Sequence, residues 1–237
     1  MREGEGQPGP DLLILDYTTD RSGGRLFSGW APAGAGITVR HVVHGRDIPS
    51  PDGFTHVLHT GSALSICDDA DFIPSAVDMV KKCVDMGIPQ LGICYGHQLL
   101  CRALLGPAAV GRSPGGFEGG WLNVRMKGEG LNIPGVTPEV RVLLSHFDRV
   151  EKLPDKAEII ACNEHTPIQG FRDAGRRLLG LQFHPEYDRE EGNKMFRKER
   201  KMLLSNGIDV DSVLRGGPSP DAGKIFFGYF FSDSWYR

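Results

Sequence analysis

Residues 90–100, QLGICYGHQLL, constrain this chain more than any other stretch. Leu91 and Ile93 are apolar and follow Gly87-Ile88-Pro89, a turn leading into a strand. After Cys94 the pattern changes. Leu99, Leu100, Cys101, Ala103, Leu104 and Leu105 form the apolar stripe of a helix. A strand therefore ends near Cys94 and a helix begins almost at once. Gly92 and Gly96 stand two residues either side of the cysteine, which matches the G-x-nucleophile-x-G elbow. Glycine makes room for such a sharp strand-to-helix turn.

An elbow of this kind pushes one side chain out at the end of a sheet, beside the positive end of a helix. A free thiol has a pKa of about 8.5, and a helix N-terminus or a neighbouring imidazole lowers it toward the reactive thiolate. A free cysteine is otherwise a small buried core residue. The glycine frame favours a nucleophile, provided that a base stands elsewhere in the chain.

The order of apolar segments sets the fold class. Residues 11–17 (DLLILDY) suit a strand buried on both faces, 37–43 a second and 55–60 a third running into Gly61-Ser62. Leu26, Phe27 and Trp30 suggest a short helix that Pro32 and Gly34 end. Ile73, Ala76, Val77, Val80, Val84 and Met86 recur at helical spacing behind an acidic cluster at 68–71, read as a solvated helix start. Strand, connection, strand argues for an α/β, flavodoxin-like, doubly wound and mainly parallel sheet with helices on both faces. In such folds reactive groups collect beyond the carboxyl ends of the strands, so Gly61-Ser62 and Cys94 are expected on one edge.

Residues 106–120 are rich in glycine and proline, and 121–126 and 140–145 read as strands. Strands at 157–161, 168–171 and 178–183 are expected to form a small antiparallel addition. Residues 189–205 read as one charged surface helix closed by Asn206-Gly207. GGPSPDAG at 216–223 is a linker-like break, and 224–237 is an aromatic tail.

Composition narrows the partners. A formal charge of −3 over 237 residues points to no nucleic acid. No apolar run reaches membrane-spanning length. Residues 1–10 are polar, Gly- and Pro-rich, and are expected to be a disordered leader. The five cysteines show no paired metal spacing, so no metal or cofactor is expected, in a reduced, cytoplasmic setting.

Cys94 needs a base among eight histidines. His97, in the first turn after the nucleophile, is expected to point away from it. His41, His44, His56 and His59 lie in or beside strands, and His165 in a loop. His184, in LQFHPE, has a carboxylate two residues on, and Pro185 fixes the backbone between them. A carboxylate bonded to one ring nitrogen sets the tautomer and stabilises the imidazolium. His184 with Glu186 is therefore the favoured base.

Thr60-Gly61-Ser62, Gly92-Ile93-Cys94-Tyr95-Gly96-His97-Gln98 and Gln182-Phe183-His184-Pro185-Glu186 together resemble the class I (triad-type) glutamine amidotransferases, in order and approximate separation. The resemblance covers roughly residues 12–196 and is nearest the stand-alone, GMP-synthetase-like branch. Glu118-Gly119-Gly120-Trp121 and Ser145-His146-Phe147-Asp148 resemble further segments of that branch. It implies an amidotransferase domain over 11–207, with 208–237 as a C-terminal extension.

The resemblance also implies roles. Cys94 would attack the glutamine amide carbonyl and form a γ-glutamyl thioester, with His184 as base and Glu186 orienting it. Gly61, Ser62 and the Tyr95 N–H would form the oxyanion hole. Gln98 and the backbone near Ser145 and His146 would hold the glutamine head group. Where the branch has a glycine pair, this chain has Leu105-Gly106-Pro107-Ala108, and Pro107 would stiffen a loop near the site's mouth.

Two functions follow. The first is a glutaminase that supplies ammonia to a separate synthetase; 237 residues leave no room for that domain, and no G-x-x-x-x-G-K-[ST] loop is present. The alternative is a self-sufficient γ-glutamyl hydrolase or peptidase. A non-catalytic binding module is disfavoured by the three triad residue types. The aromatic tail would pack across the core edge or form an oligomer seam, or else dock a partner.

Overall fold

A computed structural model describes residues 9–43, 45 and 47–236, so the expected leader falls almost wholly outside the described residues, as does His44. In chain order the elements are β1 (Asp11–Asp16), α1 (Gly23–Ser28), β2 (Gly36–His41), β3 (His56–His59), α2 (Ile73–Asp85), β4 (Gln90–Ile93) and α3 (Tyr95–Leu105). There follow β5 (Val110–Arg112), β6 (Glu118–Met126), β7 (Glu139–His146), β8 (Asp148–Val150), β9 (Glu158–Cys162), β10 (Gly170–Asp173) and β11 (Leu178–Leu181). The chain ends with α4 (Arg189–Lys198), α5 (Arg200–Ser205), α6 (Val210–Arg215) and α7 (Ala222–Phe231).

Nine strands form one sheet in the order β2-β1-β3-β4-β11-β10-β9-β6-β7. The first five pair in parallel, in the flavodoxin-like order. From β11 onward every pairing is antiparallel. The antiparallel part continues the same sheet edge to edge, and β11, expected within it, instead lies parallel to β4 with Leu181 opposite Ile93. That pairing is what carries the chain after β11 to the Cys94 corner.

Alternation along β1 shows why the sheet is covered twice. Leu12 and Ile14 join one core cluster, and Leu13 and Leu15 the other. The second cluster packs Ala76 and Val80 of α2 and Leu99 and Leu100 of α3. The first is roofed by the tail: Phe226, Phe227, Phe230 and Trp235 are all at most 2% exposed. These aromatic side chains are spent on this protein's own core, the first of the roles expected for them. A third cluster joins Trp121, Leu143, Phe196, Leu203 and Val210 beneath α4–α6.

Several local expectations change. The Gly/Pro-rich passage contains β5, which pairs with β8 in a separate two-stranded sheet. Three-residue strands are too short to show periodicity. The charged helix is two helices, with a bend at Glu199 (φ −92°, ψ 11°). Gly207 closes α5 at φ +77°, with Ile208 N–H bonded to the Leu203 carbonyl and Gly207 N–H to that of Leu204. α6 is hidden from periodicity by its six-residue length, and Asp209 caps it by accepting from the N–H groups of Asp211 and Ser212. The acidic cluster lies before α2, whose first turn holds no acid. Among the described residues no helix is long and apolar enough to cross a membrane.

Candidate active site

The β4–α3 corner is strained in the way a nucleophile elbow requires. Cys94 has φ 49° and ψ −100°, a sparsely populated conformation for a residue with a β-carbon. Its N–H donates to the Leu181 carbonyl, and Gly96 N–H donates to that of Thr60. A β-carbon at Gly92 would lie 2.5 Å from the Gly96 carbonyl, and one at Gly96 would collide with the His59 carbonyl. Both flanking glycines are thus required by close backbone approach.

The parallel β11 delivers the second component. Beyond it, His184 N–H donates to the Leu143 carbonyl, which ties the residue to β7. His184 Nδ1 lies 2.6 Å from Glu186 Oε1, with the Glu186 side chain buried and the His184 ring partly so. Cys94 lies beside the ring: both face the space over Gly61 and line the same cavity. Burial works against the imidazolium, but the Glu186 charge and the Cys94 sulfur outweigh it and hold His184 well above the ordinary histidine range. Glu186 is itself anchored through its backbone, whose carbonyl accepts from Trp30 Nε1 at 3.2 Å.

Cys94, His184 and Glu186 line one cavity of about 490 Å³, together with Gly61, Ser62, Gln98, Ser145 and His146. Gly61 abuts the pair: a β-carbon there would sit 2.8 Å from His184 Cε1 and 3.6 Å from Cys94 Cβ. Tyr95 opens α3, so its N–H is outside the intrahelical ladder. Gln98 is 3% exposed, and its amide nitrogen donates to the Asp148 carbonyl and to Gln182 Oε1. The His146 ring turns inward, with Nδ1 at the Asp148 carbonyl and Nε2 3.0 Å from Glu118. His97 does not line the cavity and is fully buried against Phe171. Burial, with His146 adding to it, pushes it down to about 3, so it is neutral.

Other lining residues were not among those expected at the site. Asp68, from the acidic cluster, stands at the rim, and Arg112 reaches in from β5, whereas Pro107 does not line the cavity. Arg112 Nε lies 3.2 Å from Asp148 Oδ1, and Asp148 Oδ2 accepts from Ser65 Oγ and Ile66 N–H. These bonds fix the loop that follows Gly61-Ser62. Tyr187, Met195, Lys198, Glu199 and Met202 line another part of the wall. Among the described residues no group of His, Cys, Asp and Glu is arranged to hold a metal ion.

A family model described as glutamine amidotransferase class-I matches residues 65–202. The chain belongs to the class-I glutamine amidotransferase family. Among proteins similar to this amidotransferase chain is one named as a subunit of the glutamine-hydrolyzing GMP synthase of Sulfolobus acidocaldarius. It is 31% identical over 163 residues, covering 68% of this chain and 84% of that protein. The glutamine-hydrolyzing GMP synthase of Campylobacter jejuni is 32% identical over 155 residues, covering 64% of this chain and only 28% of that longer protein. A solved glutamine amidotransferase from Thermotoga maritima shares the fold at a TM-score of 0.75 and 20% identity, covering 94% of this chain and 95% of that one.

Proposed function

We propose that the chain hydrolyses the side-chain amide of glutamine and supplies the ammonia to a separate acceptor enzyme. The observation that carries this reading is the convergence of Cys94 and the hydrogen-bonded His184–Glu186 pair on one cavity, at the corner where Gly61 abuts both His184 and Cys94. Family membership supports the substrate class. The similarity to a relative named as one subunit of a synthase, spanning most of its length, supports a separate synthetase. A reactive thiol suits a reduced, cytoplasmic setting.

The Cys94 sulfur attacks the carboxamide carbon as its proton passes to His184. Charge develops on the amide oxygen, where the Tyr95 N–H and the Gly61-Ser62 turn act as donors. Collapse breaks the C–N bond; nitrogen takes the His184 proton and leaves as ammonia. Cys94 is then a γ-glutamyl thioester. Water gives a proton to His184, attacks the thioester carbon, and releases glutamate and the free thiol. Glu186 holds the ring tautomer throughout. Gln98, through its bonds to Asp148 and Gln182, and the backbone at Ser145 and His146, shape the floor under the head group.

One observation favours a second reading. A cavity of about 490 Å³ is large enough for a compound bigger than one amino acid. The same steps on a larger γ-glutamyl amide would make the chain a self-sufficient γ-glutamyl hydrolase. Purified protein assayed on glutamine and on a γ-glutamyl dipeptide separates the two. Glutamate release from glutamine, increased by an added synthetase and lost in Cys94→Ser, supports the first. Partner-free turnover of the dipeptide alone supports the second. Undiminished turnover by Cys94→Ser refutes both.

A further inference from the structure

The charged groups around the cavity pair off, leaving Glu199. Asp148 faces Arg112, Asp20 holds Lys198 Nζ at 2.9 Å, and Glu186 holds His184. Asp68 is exposed and solvated. Glu199, at the bend between α4 and α5, is half-buried and lines the cavity. Its Oε2 accepts a hydrogen bond from Ser145 Oγ at 3.3 Å, and among the described residues no lysine or arginine pairs with it. Burial holds its carboxyl above the ordinary range, with the Ser145 bond, His184 and Lys198 pulling the other way.

A half-buried carboxylate with one neutral partner is poorly compensated until a cation arrives. The chemistry assigned to Cys94 supplies one. Every γ-glutamyl compound with a free amino end carries an ammonium three carbons from the carbonyl that the sulfur attacks. That ammonium must therefore lie one extended side chain from Cys94, inside the same cavity. Glu199 is placed for it: its side chain lines the same cavity as Cys94 and is held there by Ser145, which lines it too.

We propose that Glu199 is a specificity residue that binds the α-ammonium group of the γ-glutamyl substrate, with Ser145 Oγ holding its carboxylate in place. The inference rests on Cys94 being the nucleophile toward a γ-glutamyl carbonyl. It holds equally for glutamine and for larger γ-glutamyl compounds, which share this end.

The test compares two alkylating agents on the full chain, with the label at Cys94 read by peptide mass after digestion because Cys67 is also a free, exposed thiol. A diazoketone analogue of glutamine carries the ammonium and alkylates a thiol with loss of dinitrogen; iodoacetamide carries no charge. Glu199→Gln is expected to slow diazoketone labelling of Cys94 about tenfold to a hundredfold, the range for losing a charge-assisted bond, with iodoacetamide labelling unchanged. Unchanged labelling by both reagents overturns the assignment to Glu199. Equal slowing of both makes Glu199 a prop for the nucleophile and also overturns it. Wild-type protein that reacts with iodoacetamide and not with the diazoketone overturns the underlying reading of the cavity as well.

Discussion

Gly61 stands against the edge of the His184 ring, so close that a β-carbon at 61 would lie 2.8 Å from Cε1. The same atom would make an ordinary contact of 3.6 Å with Cys94 Cβ. A side chain there therefore displaces the imidazole and spares the cysteine. Gly61→Ala is expected to lower kcat/KM for glutamine about a hundredfold, the cost of a misplaced catalytic group, with thermal stability little changed. Near-wild-type turnover by this variant would show that the ring's position is not critical.

Glu186 sets both the orientation and the charge of His184. Its loss is expected to reduce kcat by about a hundredfold or more, because the wrong tautomer becomes available. The pH dependence has a definite sign. His184 is raised in the folded protein above the unfolded histidine value of about 6.5. The stability from its pairing is fully present below that value and is lost as pH rises through the higher folded pKa. Glu186→Gln is thus expected to be destabilised relative to wild type more at about pH 6 than at about pH 10. Urea unfolding of both proteins at the two pH values measures this; a pH-independent gap contradicts it.

The elbow was readable because steric demand leaves a sequence trace: Gly92 and Gly96 each face a backbone atom that no β-carbon could clear. His184 and Glu186 were readable because they stand two residues apart with a proline between them. Glu199 and Arg112 were not. Each is one charge among many on a polar segment, brought to the cavity by a bend or by a three-residue strand. Likewise β11 has the same apolar character whether it pairs in parallel or antiparallel. Its neighbour β4, and not its own pattern, decides the direction.

The Gly92 contact gives a test of stability apart from chemistry. The atoms that a β-carbon would strike, Gly96 C and O at 2.5 Å and His97 N at 2.7 Å, are backbone in the first turn of α3. They cannot rotate away. Gly92→Ala is expected to cost about 3 kcal/mol, at the upper end of overpacking, measured by urea unfolding. A loss below about 1 kcal/mol would mean that the corner relaxes easily.

One route from the tail to the site runs through a tryptophan. Phe227 stacks on Trp30, centroids 5.4 Å apart at 13°, and Trp30 Nε1 donates to the Glu186 carbonyl. Phe230 is equally buried, but its ring packs against His56, Phe231 and Trp235 instead of Trp30. Truncating either ring removes a large buried side chain and is expected to cost about 3–5 kcal/mol. The two should differ in catalysis. Phe227→Ala releases the Trp30 ring and with it one anchor of the residue that orients His184, so kcat is expected to fall severalfold under conditions where the variant remains folded. Phe230→Ala, matched in stability, should keep kcat near wild type. Equal effects on kcat would mean that the tail influences the site only by holding the core together.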